Sequence, residues 1–216
     1  MQLEMESVVP QQAWTPPEVS RKGLLFVLSA PSGAGKDSVI NAALEQEMHF
    51  FVVPSVTTRA PRAGESEGHP YHFVSQKQFE QMVSNDELIE YAKVHGHWYG
   101  QPRQFIRDHL NAGEDVLMKI DVQGAATVRK KIPGAIFIFL VPESLEVLAS
   151  RLIHRNTETE EELARRLETA RTELAEQDRF EYVIINRQGR LVEAVDQLWA
   201  IMATEHCRVH PRHVDI

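Results

Sequence analysis

Hydrophobic and polar positions along this chain fall into two distinct patterns. Near-continuous aliphatic runs occur at Leu24–Leu28, Val116–Ile120, Ile136–Val141 and Tyr182–Ile185. A run without polar alternation fits a strand covered on both faces, as in a parallel sheet. Helices are expected around these runs, at Lys36–Glu47, Glu143–His154, Glu160–Glu176 and Leu191–Glu205. Strands alternating with helices build right-handed βαβ units, so the predicted fold class is layered α/β with a parallel sheet and flanking helices.

The stretch 55–100 breaks this pattern. It is rich in Thr, Arg, Gly, His and Tyr, and its apolar residues alternate (Tyr71, Phe73) instead of clustering. It reads as a small mixed-β insert closed by a helix at Gln76–Val83. A second interruption, His154–Thr159, is polar and lies between two predicted helices, where a lid covering about 143–170 would hinge. Inserts beside the carboxyl ends of parallel strands are where α/β proteins hold ligands. The expected organisation is an N-terminal arm (1–22), one domain over 23–205 with its core in 23–54 and 101–205, and a polar tail (206–216).

Composition narrows the class. The chain has 216 residues, 43% hydrophobic and 25% charged, as in an ordinary globular protein that needs no staples. Its formal charge of −8 argues against a general nucleic-acid or membrane-surface binder, while leaving room for a local basic pocket. A single cysteine, Cys207, excludes an internal disulfide and a multi-cysteine metal site, and suits a reducing compartment. Residues 1–22 lack the basic start and apolar centre of a signal peptide, and the longest apolar stretch, Ala135–Val141, is too short to span a bilayer. The expected location is the cytoplasm.

Candidate chemistry begins after the first run, at Ser29-Ala30-Pro31-Ser32-Gly33-Ala34-Gly35-Lys36-Asp37-Ser38. A phosphate loop wants Gly, four residues, Gly-Lys, then Ser or Thr, between a strand and a helix. Gly35 and Lys36 fit. Backbone N–H groups in such a turn form an anion nest, reinforced by the helix behind it. Two positions depart: Ala30 replaces the first Gly, and Asp37 replaces the hydroxyl residue that meets Mg²⁺. A Gly-rich turn with an incidental lysine also fits the loop alone.

A second cluster runs from Ser55 through Thr57-Thr58-Arg59, Arg62, Glu65, Gly68 and Tyr71 to Phe73. Arg59 and Arg62 lie three apart across a Pro-containing turn and can converge on one dianion. Tyr71 can add a hydroxyl. Glu90 then offers a carboxylate able to accept two parallel hydrogen bonds, such as guanine presents, and Tyr99-Gly100-Gln101 follows. A solvated loop whose arginines pair with Glu65 and Glu67 fits this cluster equally well.

Taken together these residues resemble the guanylate kinase family. Thr57 to Val74 matches its signature at every fixed position, and the phosphate loop, Glu90, Tyr99-Gly100, Asp121-Val122-Gln123-Gly124, the Arg155 region and Asn186 follow in family order. The resemblance runs from about Leu24 to Trp199. It implies a P-loop NTPase-type sheet, an inserted GMP-binding subdomain, a helical lid, and phosphoryl transfer from ATP to GMP with Mg²⁺. ATP would be held by Ala30, Ser32, Gly33, Ala34, Gly35, Lys36, Asp37 and Ser38, with Asn186 near the adenine. The GMP phosphate falls to Arg59, Arg62, Tyr71 and Tyr99, and the guanine to Ser55, Gln101 and Glu90. Gln101 stands where the family has a small hydroxyl residue, and its amide can still donate to a carbonyl. Asp121 joins the GMP site, and with Asp37 would serve Mg²⁺, directly or through water. Lys36, Arg151, Arg155 and Arg166 are the expected catalytic and lid cations.

A further departure is Lys119, at a position usually acidic in the family. Residues 119 and 121 are expected to share a strand face toward the phosphate site, so Lys119 and Asp37 either form a compensating pair within about 6 Å or are two unrelated substitutions that leave Mg²⁺ held mainly by nucleotide and water. His206, Cys207, His210 and His213 are assigned to a frayed polar tail instead of a metal site. Trp14, Trp98 and Trp199 are assigned to packing.

Overall fold

The structure, a computed structural model, describes residues 22–62, 64–68, 70–94, 96–153 and 160–216. Two five-stranded sheets organise them. The first contains β1 (Leu25–Ser29), β2 (Phe51–Val52), β8 (Val116–Lys119), β9 (Ile136–Pro142) and β10 (Tyr182–Asn186), in the order β10-β9-β1-β8-β2 and parallel throughout. All four aliphatic runs are strands of this sheet. Their lack of alternation has a direct cause. Along β1, Phe26 and Leu28 enter one core layer while Leu25 and Val27 enter the other; β9 splits likewise, with Ile136, Ile138 and Leu140 on one side and Phe137 on the other. Both faces are dry, so both sets of side chains must be apolar.

One layer is closed by α1 (Lys36–Glu45) and α7 (Leu191–Glu205), which supply Val39, Ile40, Ala194, Val195 and Leu198. The other is closed by α3 (Arg103–Asn111) and α4 (Val122–Lys131), through Ile106, Leu110, Ala125 and Val128. Neither α3 nor α4 is anticipated by the sequence reading. Pro102 sits as N-cap of α3 and hides its start, and Asp121, read above only as a ligand, is the N-cap of α4, accepting from Gly124 N at 2.7 Å.

The second sheet is the insert, as the alternating pattern anticipates. It comprises β3 (Ser55–Thr57), β4 (Ser66–Glu67), β5 (Pro70–Phe73), β6 (Leu88–Val94) and β7 (His97–Pro102), ordered β4-β5-β3-β7-β6 with mixed directions. It rests on a small core of Val56, Phe79 and Leu88. Phe79 comes from α2 (Gln76–Ser84), which starts in a capping box of Ser75 and Gln78.

The remaining helices are α5 (Leu145–Ile153) and α6 (Glu160–Leu174), joined through Leu148, Leu152 and Ala170. The hinge assigned to His154–Thr159 lies outside the described residues, as does nearly all of the N-terminal arm.

The tail corrects an expectation. Instead of fraying, residues 206–216 dock on the core. Arg212 donates to Glu205 (2.8 Å) and Glu181 (2.7 Å), His206 Nε2 meets Asp115 at 2.8 Å, and Arg107 donates to the Ile216 carbonyl at 2.9 Å. Val214 and Ile216 pack on the α3–α4 layer. The partners Asp115, Glu181 and Arg107 are remote in sequence, so reading the tail locally misses them. Trp199 also departs from its assignment: it is 59% exposed, whereas Trp98 packs on Phe79. Among the described residues no helix is long and apolar enough to cross a membrane.

Candidate active site

The strand–turn–helix at the end of β1 forms the predicted loop. Gly33 and Gly35 have φ of +90° and +94°, a left-handed conformation that side chains resist. Ala30, where the motif has its first Gly, is not among the residues with positive φ and is buried, so its methyl is accommodated. Ala34 is fully buried, and its carbonyl is the anchor of the loop. Asn186 Nδ2 donates to it at 2.8 Å and Arg151 Nη1 at 3.1 Å, while Arg151 Nη2 donates to Asn186 O at 3.1 Å. Two residues expected to face a nucleotide therefore also fix the loop from beneath. Gly33 lies against Leu148 and Leu152, which seats α5 on the loop.

Lys36 opens α1 and donates to the Ile120 carbonyl at 2.9 Å. Burial, and then the neighbouring Lys119, push its pKa down to about 8. Asp37 and Ser38 are exposed on the first turn of α1. Lys119 Nζ lies 2.5 Å from Asp37 Oδ1, so the expected pair is present. From α6, Arg166 donates to Ser32 Oγ at 3.0 Å and Glu173 accepts from Ser32 N at 3.2 Å. A carboxylate thus already occupies one donor of the loop, and burial raises its pKa. Nothing local in the sequence singles out Glu173.

On the insert, strand register gathers the second set. Ser55 lies beside Tyr71 and Thr57 beside Tyr99 across β3, while Glu90 faces Gln101 across β6–β7. A register irregularity between Leu88 and Glu90 lets three consecutive residues of β6 be buried, and it turns the Glu90 carboxylate inward. Burial, reinforced by Asp121, raises the Glu90 pKa to about 7. Gly124 makes the room: a Cβ there would come within 3.0 Å of that carboxylate. Gln101 Nε2 donates to Ser55 Oγ at 2.7 Å, leaving its buried Oε1 without a partner among the described residues.

Arg59 is nearly buried. Its guanidinium donates to Glu65 at 2.8 Å and to Ala60 O at 2.7 Å, lies 5.3 Å from the Tyr71 ring centre, and interacts with Tyr99. Tyr71 and Tyr99 are 5.8 Å apart, edge to face. Glu65 also accepts from Arg62 N at 2.8 Å, while the Arg62 side chain stays exposed. The pairing of Arg59 with Glu65 is real, yet it fixes the guanidinium beside Tyr71 and Tyr99 instead of dissolving the cluster. Glu67 engages His72, not an arginine. The loop and the insert meet at Lys119, whose ammonium lies 6.0 Å from the Tyr71 ring centre, and at Asp121, which interacts with both Lys36 and Glu90.

The loop therefore stands next to the buried Glu90 carboxylate and the arginine–tyrosine cluster, with Lys119 and Asp121 between them. A family model described as guanylate kinase matches residues 22–205. The chain belongs to the guanylate kinase family. A guanylate kinase of Caldanaerobacter subterraneus subsp. tengcongensis is 42% identical over 88% of this chain and 92% of its own length. The chloroplastic/mitochondrial guanylate kinase 2 of Oryza sativa is 46% identical over 89% of this chain and 68% of its own. A crystal structure of guanylate kinase from Anaplasma phagocytophilum aligns with a TM-score of 0.71 at 34% identity, covering 88% of this chain and 89% of that one.

Within this guanylate kinase family member, Arg151, Arg166 and Asn186 contact the loop, Ser55, Glu90 and Gln101 adjoin one another, and Arg59, Tyr71 and Tyr99 form one cluster, while the Ser38 and Arg62 side chains are exposed. Arg155 lies outside the described residues. Glu65, Gly124 and Glu173 are the contributors missed as site residues. Glu65 stands in the signature itself, and spacing from Arg59 and Arg62 was the available signal. Gly124 lies inside a quoted motif, but its purpose appears only when α4 meets β6.

Proposed function

We propose that the protein transfers the γ-phosphoryl group of ATP to GMP, giving ADP and GDP, with ATP on the loop and GMP in the insert. The observation that carries the guanine preference is Glu90: a buried carboxylate, sterically licensed by Gly124, beside Gln101 and Ser55. Ionised, it accepts from the guanine ring N–H and exocyclic amine together. Rotating the Gln101 amide by half a turn lets the Ser55 hydroxyl donate to Oε1 and turns the NH₂ group toward the guanine oxygen, relieving the orphaned acceptor.

Phosphoryl transfer leaves little covalent work for the protein, so alignment and charge supply the acceleration. Arg59, Arg62, Tyr71 and Tyr99 hold the acceptor phosphate. Lys36 and the loop N–H groups hold the donor phosphates, and Arg166, already at Ser32, supplies positive charge from α6. Arg155 takes a parallel lid role by resemblance. Arg151 and Asn186 act as positioning residues by fixing Ala34.

Among the described residues, no group of three or more His, Cys, Asp or Glu side chains forms a metal cage. Mg²⁺ is usually held by one or two carboxylates plus nucleotide phosphates. Asp37 and Asp121 are the oxygen donors next to Lys36 and would hold it. Bound there, the ion neutralises phosphate charge. The lone exposed Cys207 agrees with a reducing cytoplasm. A coupled assay of ATP with GMP, AMP, CMP and UMP tests the proposal: turnover with GMP is expected to exceed the others by at least about a hundredfold, since unpaired buried polar groups penalise the wrong base. Equal turnover with AMP would overturn it.

A further inference from the structure

We propose that Lys119 is a ligand of the acceptor phosphate, stored on Asp37 while the site is empty. The proposal deepens the reading above and rests on it. Lys119 stands at the carboxyl end of β8, on the seam between loop and insert. Its ammonium is 2.5 Å from Asp37 Oδ1 and 6.0 Å from the ring centre of Tyr71, the residue whose hydroxyl faces the acceptor phosphate in the proposed arrangement. The groups around it are thus Lys36 and Asp37 on one side and Tyr71 on the other, with Asp121 two residues along the same strand end.

Three observations make the storage reversible. Asp37 is 72% exposed in its side chain, so water screens its hold on the ammonium. A phosphate near Tyr71 carries close to two negative charges and attracts the ammonium more strongly than one carboxylate at equal distance. The lysine stem has four rotatable carbons and sweeps several ångströms without moving the strand. The cluster also has use for another cation. Arg59 is already committed to Glu65 and Ala60, and the Arg62 side chain is exposed at the rim. Lys119 offers a compact charge whose ion-pair partner, among the described residues, is Asp37 on the loop side.

Asp37 and GMP therefore compete for one ammonium, which gives a result that loss of structural support cannot imitate. Binding of GMP alone, without ATP or metal, is measured by calorimetry for the parent, Asp37→Ser, Lys119→Met and the double variant. Removing the competitor is expected to tighten GMP binding about three- to tenfold in Asp37→Ser. Lys119→Met is expected to weaken it by a similar factor, and the double variant to bind no more tightly than the parent. Asp37→Asn, nearly isosteric, repeats the first arm should Asp37→Ser fold poorly, and Lys119→Arg is expected to retain most of the affinity. An unchanged or weaker affinity in both Asp37 variants, or a gain that survives in the double variant, overturns the proposal. A parent that neither binds nor phosphorylates GMP overturns the functional reading with it; a parent that does both, without the Asp37 effect, overturns only this inference.

Discussion

In the proposed arrangement the loop and the insert each hold a phosphate, by opposite means. The loop works with backbone: Gly33 and Gly35 hold left-handed φ, and Asn186 and Arg151 tie the Ala34 carbonyl. The insert works with side chains: Arg59 is aimed by Glu65, and Glu90 is turned inward by an irregular strand and accommodated by Gly124. A backbone site is intolerant of any side chain at its glycines but indifferent to much else. A side-chain site tolerates its backbone neighbours but depends on distant partners.

That contrast is broken most directly at Gly35. Alanine there would sit at φ +94° with its methyl 2.4 Å from Asn186 Nδ2. Strain of about 1–3 kcal/mol predicts a loss of roughly ten- to a hundredfold in kcat/KM for ATP. GMP affinity measured by calorimetry should stay within about twofold.

Gly124→Ala is the counterpart on the other side. The added methyl presses on the Glu90 carboxylate, so kcat/KM for GMP should fall about tenfold with ATP affinity retained. Because Ala favours a helix over Gly by about 1 kcal/mol, the melting temperature should hold or rise. A variant that loses stability instead would mean that α4, not Glu90, absorbs the strain.

The two halves should also separate by pH. Glu90, raised to about 7 by burial, gains a proton as pH falls through that value and then mispairs with guanine, so kcat/KM for GMP should drop several-fold on the acid side. Lys36, lowered to about 8, loses its charge as pH rises through 8, so kcat/KM for ATP should drop on the alkaline side. Glu90→Gln should remove the Glu90 contribution to the acid limb, leaving that of the GMP phosphate near pH 6. Lys119→Met should move the alkaline limb to higher pH, since Lys119 is the leading charge that depresses Lys36.

The smallest catalytic effect is expected far from the cleft. Arg212→Ala removes one of the partners of Glu205, whose side chain is fully buried and which keeps Tyr182 and Arg208. A charged hydrogen bond of about 2 kcal/mol is lost, lowering the melting temperature by about 4–8 °C with kcat unchanged. An unchanged melting curve would show that the docked tail contributes nothing to the core.

Legibility in the sequence follows the same division. Four of the five strands of the central sheet were readable because burial on both faces leaves a one-dimensional mark, a near-continuous aliphatic run. The loop was readable because its residues are contiguous. The insert's signature gave Arg59, Arg62 and Tyr71 by spacing, yet which carboxylate aims Arg59 required the fold. Gly124, Glu173 and the docked tail were not readable, because each acts on a residue brought near only by tertiary packing: Glu90 in β6, Ser32 in the loop, and the Asp115–Glu181–Arg107 set. The Asp37–Lys119 pair shows where the boundary lies. Both departures from the family pattern were visible separately and the ion pair between them is present, although β8 ends at Lys119 and Asp121 caps α4 instead of continuing the strand.

Gly124 carries one more consequence. It sits in the first turn of α4, where its N–H binds the Asp121 carboxylate while its bare face admits Glu90. In the proposed arrangement a single helical turn is therefore a party wall between the base pocket and the phosphate side. Any redesign that enlarges or reshapes the base pocket from this side also disturbs the cap that fixes Asp121. Directed evolution toward another purine should accordingly enrich changes at Ser55 and Gln101, on the opposite wall, and leave this turn untouched.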